Sequence, residues 1–469
     1  MLESRDKFIS VLISSVSVLL NIFLIAIAYP SLLSTESIDL SLYRNEFLGF
    51  IDFSFRLDAL SAFFVILISG VSILTTIYSV KYSDEYQSRY SLANLSLFTM
   101  VFGLSMVGVV CANHVFSFLV FWEAMSLSSY LLVIYDYKER NNVNAGFIYF
   151  IMTHIATAFL LLAFLLLSHL SSDLSFGALT ANAHNLDSQV TLIAFIMFLL
   201  GLGIKMGMVP FHFWLPIAHP AAPSHISALM SAVMVKTPIY LLMRVVFDFL
   251  VPEAYMGYSI LSFGIISGLV GILYAIKEHD IKKLLAYSTI ENVGIILIGL
   301  GLSIVFLQFN NALLASLALM AAIFHLMNHA IYNSSLFLGA GSIVLKCRTR
   351  DLNKLGALIH LMPKTAMLFL ISSLAISAMP FFNGFVSEWL LYQSIIRAMQ
   401  LGEASLHFIL PIVLMFVAMI AGFAFIAFSK LFAIAFLGYA RSENAKKAQE
   451  VSPMMWLPTA VLNSLCFLL

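Results

Sequence analysis

Hydrophobic residues in this chain come in blocks of about twenty, separated by short polar stretches, and the blocks recur along its whole length. A bilayer core about 30 Å thick is crossed by about 20 apolar residues in a helix. Inside lipid, only helices and closed barrels satisfy every backbone N–H and C=O. The pattern predicts thirteen spans, at 8–28, 57–79, 91–111, 113–134, 145–169, 188–214, 225–247, 255–277, 284–306, 313–345, 365–399, 406–437 and 454–469. The fold class expected is therefore an all-α polytopic membrane protein. One stretch has another period. In the polar connection 29–56, Ile51, Phe53, Phe55 and Leu57 alternate with Asp52, Ser54 and Arg56, as in a half-buried strand.

Both ends need comment. The start, MLESRDKF followed by an apolar run to Ala28, imitates a signal peptide, and Ala26-Ile27-Ala28 resembles a cleavage site. The run is about 20 residues against the usual 7–15, so it reads as a first helix that is kept. The last stretch is short, contains Pro458 and stops in apolar sequence at Leu469. It is either a marginal final helix or the end of a chain that was once longer.

Composition agrees with the pattern: 61% of the 469 residues are hydrophobic and 10% charged, against roughly 25% charged in soluble domains. Net charge is zero, which gives no support to a nucleic-acid or polybasic surface role. Cys111, Cys347 and Cys466 lie far apart with no C-x-x-C spacing, so they offer neither an iron–sulfur site nor a disulfide framework. They read as small buried hydrophobes.

Basic residues in the connections set the expected orientation. One side collects Arg5, Lys7, Lys81, Arg89, Lys138, Arg140, Lys277, Lys282, Lys283, Lys346, Arg348, Arg350, Lys354, Lys364, Arg441, Lys446 and Lys447. The other holds Arg44, Arg56, Arg244 and Arg397. The first side, with the N-terminus, is expected to be cytoplasmic.

Charges inside the spans carry the candidate chemistry. Lys205 and Lys236 each fall near the middle of an apolar stretch. A charge there costs about 2.5–3.5 kcal/mol on insertion scales and marks an ion pathway by default. Pro210 has no N–H for the carbonyl of Met206, so the helix is expected to break just beyond Lys205. Spans three to seven and eight to twelve then match slot by slot. Second helices carry Glu123 and Glu291, and third helices carry His154 and His325 with His329. Fourth helices carry Lys205 and Glu388, and fifth helices Lys236 and Lys430. The fourth helices also hold the interruptions, Pro210 and Pro380. Inverted repeats with broken helices in corresponding positions are a transporter signature. The expected organisation is 1–90 as N-terminal helices with an external loop, 91–247 as a first five-helix half-channel unit, 255–437 as a second, inverted one, and 438–469 as a cytoplasmic loop with the last helix.

Four stretches resemble the antiporter-like subunits of respiratory complex I, Mrp-type cation/proton antiporters and membrane-bound hydrogenases. They are FWEAMSLSSYLLV at 121–133, KMGMVPFHFWLPIAHPAAPSH at 205–225, DIKKLLAYSTIENVGIILIGLG at 280–301 and FNGFVSEWLLYQS at 382–394. HISALMSAVMVK at 225–236, FHLMNHAIYNSSLFLGAGSIV at 324–344 and KLFAIAFLGYARS at 430–442 are similar to the hydrogenase branch, the large membrane subunit of formate hydrogenlyase and hydrogenase-4 type complexes. The resemblance runs from about residue 50 to 442. It implies a family core of fourteen helices with two inverted five-helix half-channels joined by a polar axis. It also implies Glu123, Lys205, Lys236 and Glu388 as the family's ionisable positions along that axis. Three departures follow: one N-terminal helix fewer, no C-terminal extension, and Asn333 where these relatives commonly have lysine. An amide takes no proton from a relay near neutral pH, which leaves the wiring of the second half-channel open.

Each candidate has a plainer alternative. Burial favours the neutral form of a carboxyl or amine and pairing favours the charged form, so a Glu123–Lys205 pair that opens and closes is a proton switch. The alternative is a static buried ion pair. Lys236 either stores a proton from Lys205 or snorkels to an interface, which is strained eleven residues into its span. His325 and His329 have metal-ligand spacing, but HLMNH lacks the glutamate of H-E-x-x-H and no third ligand is near. No metal is expected, and a proton relay or satisfied core histidines remain, as for His154. Glu388 is either an outlet to the external side or a carboxylate capping the half-helix that begins near Asn383. Lys430 lies nearer the cytoplasmic end, where snorkelling is easier, and Glu291 is evenly balanced. His212 and His219 either feed protons from the cytoplasm or satisfy loop carbonyls.

The expected function is a proton-translocating subunit of a multi-subunit redox complex, hydrogenase-like or NADH:quinone oxidoreductase-like, in a prokaryotic inner membrane. The chain itself would carry no cofactor, and iron–sulfur and nickel–iron centres would sit in other membrane and peripheral subunits. Protons would pass Glu123, Lys205, Lys236 and the His325/His329 region and leave near Glu388. The alternatives are an Mrp-type Na+/H+ antiporter subunit without redox partners, and a scaffold whose relay is broken at Asn333.

Overall fold

The computed structural model describes residues 2–34, 36–44, 51–168, 173–401 and 403–468. His169 and Leu469 at the predicted span ends, and residues 45–50 of the 29–56 connection, lie outside them. The chain divides into two compact units, Met1–Met206 with Ala221–Val251, and Gly207–Pro220 with Pro252–Leu469.

The first unit holds α1 (Leu2–Leu33), α2 (Ala59–Tyr82), α3 (Leu92–Cys111), α4 (Val115–Val133), α5 (Arg140–Ser168), α6 (Phe176–Asn182) and α7 (Ser188–Met206). The second has α8 (Leu215–Ala221), most of which belongs to it. In the first unit again, α9 (Ser224–Ala232) and α10 (Thr237–Arg244) follow. The period-two stretch is a strand, β2 (Asp52–Leu57), paired antiparallel with β1 (Ile38–Arg44), with an irregular register between Ser41 and Tyr43. Phe53 and Phe55 pack edge-on against Phe116 and Phe121 of α4, which anchors the hairpin to the helices. Asp58 ends the hairpin and caps α2, accepting from the Ser61 amide at 2.9 Å.

The second unit continues with α11 (Ala254–Lys277), α12 (Ile281–Gln308), α13 (Ala312–Cys347), α14 (Leu358–Leu361), α15 (Pro363–Ile376), α16 (Asn383–Ala398), α17 (Ala404–Phe436), α18 (Glu443–Lys446) and α19 (Pro453–Leu468). Small residues let α11 and α12 touch backbone to backbone. A Cβ at Gly271 would stand 2.5 Å from the Glu291 amide nitrogen, and one at Gly294 would stand 2.4 Å from that of Gly268. That contact fixes Glu291 in the middle of the unit.

Among the described residues, eleven helices are long and apolar enough to cross a membrane, and this is a multi-pass membrane protein. Helix lies on all thirteen predicted stretches, but two fall short of a full span. The 365–399 stretch is split: the backbone adopts left-handed φ at Ala378 (+48°) and Phe381 (+78°) between α15 and α16. The 454–469 stretch forms the 16-residue α19, about 24 Å at 1.5 Å per residue. The 225–247 stretch, predicted as one helix, is interrupted as well: α9 stops at Ala232 and α10 starts at Thr237, with a tight turn over Met234–Lys236. Pro238 is the cause. It lacks the N–H that the Met234 carbonyl would need, yet fits well in the first turn of a new helix.

Candidate functional site

The site in the first unit is built at two helix interruptions. α7 ends at Met206, one residue past Lys205, and Gly207 follows with φ +75°, a conformation that glycine adopts without strain. Lys205 has no exposed surface. Its ammonium donates to Ser126 Oγ at 2.8 Å and Tyr149 OH at 3.2 Å. The rings of Tyr149 and Trp122 lie with centroids 5.3 and 5.7 Å from Nζ, within cation–π range.

Glu123, one turn before Ser126 on α4, is not in ion-pair contact with Lys205. Its carboxylate accepts from Thr157 Oγ1 at 2.5 Å and lies 3.4 Å from His154 Nε2, with both side chains partly exposed. The expected pair is thus held open, each member on its own partners, with Glu123 still within electrostatic reach of the lysine. The reason is geometric. Ser126 and Tyr149 occupy the space around Nζ, while Thr157 and His154, on successive turns of one face of α5, draw the carboxylate away.

Tyr149 links the two interruptions. Its hydroxyl accepts a hydrogen bond from Lys205, and is also 2.7 Å from Ser129 Oγ and 3.4 Å from Met234 Sδ, to which it can donate. Met234 belongs to the turn that carries Lys236. The carbonyls released there find donors: Thr237 Oγ1 bonds Met234 O at 2.9 Å, and Lys236 Nζ bonds Ser231 O at 2.6 Å. Lys236 is fully buried and does not snorkel. It folds back onto the C-terminal end of α9, where helix carbonyls favour a cation.

The second unit carries a polar cluster across α12, α13 and α16. His325 bridges it, with Nε2 3.1 Å from Asn292 Oδ1 and Nδ1 3.0 Å from Ser387 Oγ. Asn292 donates to Glu291 and accepts from Tyr332 OH at 3.0 Å. Asn328 and Asn383 exchange bonds of 2.8 and 3.0 Å, which ties α13 to the first residue of α16. Glu388 is 4% exposed, next to Ser387 and within electrostatic reach of Glu291. It does not cap α16, which has no side-chain cap. His329 is buried edge-on against Tyr332 at 5.7 Å. Asn333 is buried and donates to Thr289 Oγ1 of α12 at 3.4 Å.

Two other candidates have structural partners. Lys430 donates to the carbonyls of Ile276 and Glu278 at 2.5 and 2.8 Å. This caps the C-terminal end of α11 and takes Lys430 out of the buried cluster. His219 is fully buried, with Nδ1 3.0 Å from Leu215 O and its ring near Trp214 and Phe337. His212 sits in the tight turn Phe211–Trp214 after Pro210.

Residues 112–416 match the family described as NADH:quinone oxidoreductase/Mrp antiporter, TM, and residues 49–91 match the family of the N-terminus of complex I chain 5. The chain belongs to the NADH:quinone oxidoreductase/Mrp antiporter family. It is 42% identical over 425 residues to hydrogenase-4 component B of Escherichia coli, which covers 90% of this chain and 62% of that one. The chain thus spans about three fifths of that relative's length. A chain of the membrane-bound sulfane sulfur reductase, an archaeal respiratory membrane complex, superposes with a TM-score of 0.81 at 25% identity, over 97% of this chain and 70% of that one. A chain of the Mrp complex from Dietzia sp. DQ12-45-1b has the same fold, with a TM-score of 0.82 at 19% identity over 98% and 89%.

For this family member, sequence reasoning missed the neutral half of both sites. Ser126, Tyr149 and Thr157 in the first, and Asn292, Ser387, Asn328 and Asn383 in the second, are uncharged at neutral pH and so lack the in-span charge that singles out the other site residues. One signal was present: Ser126 is i+3 from Glu123 and Asn292 directly follows Glu291, so each carboxylate has a polar neighbour on its own helix.

Proposed function

We propose that this chain is a proton-translocating, antiporter-like subunit of a multi-subunit redox complex of the hydrogenase or NADH:quinone oxidoreductase kind. One observation carries the reading. Lys205 is buried at a helix break on neutral hydroxyls, while Glu123, its candidate counter-ion, is bonded elsewhere one turn away. A static ion pair would be closed, because an uncompensated buried charge is costly. A lysine held by Ser126 and Tyr149 has a second resting place at Glu123. Movement between them alternates the environment of its proton.

In the first unit the path runs Glu123, Lys205, Tyr149 and Lys236. In the second it runs Glu291, Asn292, His325, Ser387 and Glu388. The redox centres, iron–sulfur and nickel–iron, belong to partner subunits, and protons rather than Na+ are the ion moved. Membership in this family supports the reading, and the hydrogenase-4 component among the relatives favours the hydrogenase-like form. The asymmetry of basic residues supports an N-terminus on the cytoplasmic side of a prokaryotic inner membrane. Lys205→Ala in the whole complex tests it. The variant is expected to assemble and to move no protons in sealed vesicles, and proton movement at the unaltered rate would end the reading.

A further inference from the structure

Glu123 and His154 meet in the middle of their spans. Glu123 is the ninth of the nineteen residues of α4, and His154 the fifteenth of the twenty-nine of α5. Ionisable side chains at that depth pair with one another and mark proton relays. Unlike Lys205, these two keep open surface, 29% of the Glu123 side chain and 40% of the His154 side chain. A proton can be exchanged there without entering the packed interior of the unit.

The contacts of the imidazole fix its state. His154 Nδ1 lies 2.8 Å from the Phe150 carbonyl oxygen, which can only accept, so Nδ1 carries a hydrogen. The Phe150 ring, with its centroid 4.0 Å away, holds the imidazole in that orientation. Nε2 faces Glu123 Oε2 at 3.4 Å. A bare Nε2 would set its lone pair against the carboxylate, so this is the contact of an imidazolium. The pair is then neutral as a whole, and Glu123 offers Lys205 no uncompensated charge. α5 packs on α4 and α7, whose other ionisable side chains are Tyr130 and Lys205; α5 itself adds Tyr149 and Arg140. Arg140 stands fourteen residues before His154, about 21 Å along the helix. Of the cations on these three helices, Lys205 is the one placed to take the imidazolium's part at Glu123.

We propose that His154 controls the position of Lys205. While His154 holds its second proton, Glu123 is neutralised and Lys205 rests on Ser126 and Tyr149. When that proton leaves by the open side of the pair, Lys205 moves onto Glu123. The inference rests on the translocation reading above and adds its trigger. The step breaks one N–H bond at Nε2 and passes the proton to a hydrogen-bond acceptor on that side, water or a polar group of a partner subunit. No electron moves. Thr157 Oγ1, which now donates to Glu123, also reaches the Thr153 carbonyl at 3.1 Å, so it can yield its place to the ammonium without losing a partner. Pairing with Glu123 favours the charged lysine, and return to the hydroxyls favours its neutral form. Exchange at His154 therefore times the proton on Lys205.

The test joins electron cryomicroscopy of the whole complex with proton transport in sealed vesicles. His154→Gln keeps a donor and an acceptor but holds no exchangeable proton near neutral pH. It is expected to bring Lys205 Nζ into ion-pair contact with Glu123 and to slow transport about 100-fold. His154→Phe, which keeps a ring against Phe150, is expected to do the same and serves if the glutamine variant does not assemble. Adding Glu123→Gln to either is expected to return Lys205 to Ser126 and Tyr149, because no uncompensated carboxylate remains. A merely structural role for His154 would not move the lysine back. Lys205 still on Ser126 and Tyr149 in the single variants would overturn control by His154, whatever the rate. Transport at the unaltered rate in those variants, beside a silent Lys205→Ala, would overturn it alone. Lys205→Ala at the unaltered rate would overturn the translocation reading and this inference with it.

Discussion

Lys205 bonds Ser126 rather than Glu123, although the two acceptors stand one turn apart on the same helix. A flexible four-carbon stem lets one ammonium serve both positions, and the hydroxyl position is the one occupied. The lysine therefore remains desolvated on neutral partners, close to a carboxylate that His154 and Thr157 retain.

Lys236 separates transport from stability. Its ammonium is fully buried and bonded to the Ser231 carbonyl. Taking an ammonium out of water costs several kcal/mol, a cost that an apolar side chain of similar length does not carry. Lys236→Met is expected to keep or raise thermal stability while proton transport is lost. A variant that transports normally would remove Lys236 from the path.

Lys430 is expected to behave in the opposite way. It caps the last carbonyls of α11, a role worth about 0.3–1 kcal/mol. Lys430→Met should lower stability by about that much and leave transport intact. Thermal denaturation alongside a transport assay decides it, and a transport defect at unchanged stability would return Lys430 to the relay.

His325 is the titratable centre of the second cluster, bonded at both nitrogens. Glutamine keeps a donor and an acceptor but does not titrate near neutral pH. His325→Gln is expected to fold and to transport about 100-fold more slowly, in the range of a lost acid–base group. Asn333, which donates to Thr289, is not a member of the proposed path, so transport should proceed with the asparagine in place.

Asp58 supplies a pH test at the N-terminal end of α2, beyond the span. Burial pushes its carboxyl up, but the Arg244 guanidinium, 2.6 and 2.5 Å from its two oxygens, and the Ser61 amide hold it below the usual value. A depressed folded value means the stabilisation is present above the unfolded value of about 3.9 and is lost as pH falls through the lower folded one. Asp58→Asn should cost about 2 kcal/mol at neutral pH. The difference from the unaltered protein should shrink from about pH 4 downward. A penalty independent of pH would contradict the Arg244 linkage.

Much of this was legible in the chain because insertion into lipid leaves few choices. Apolar length marked where the long helices lie, though not the short α6, α8, α14 and α18, and Pro210 marked the break beside Lys205, because a missing N–H acts on its own helix. Pro238 carried the same local signal and was missed, since Thr237-Pro238 lies in an otherwise unbroken apolar run. Side-chain partners across helices were not legible. Whether Lys205 meets Glu123 or Ser126 depends on how α4, α5 and α7 pack, and Thr157 competes for the carboxylate from a helix 34 residues away. The capping role of Lys430 depends likewise on carbonyls more than 150 residues distant.

The central claim is that Lys205 gives up and regains a proton rather than holding a fixed charge. Lys205→Arg tests it most directly, because arginine keeps the charge and the reach but is not deprotonated in proteins. Proton transport by the whole complex in sealed vesicles is the measurement. The arginine variant is expected to assemble and move no protons; transport at the unaltered rate would show that Lys205 serves only as a fixed positive charge.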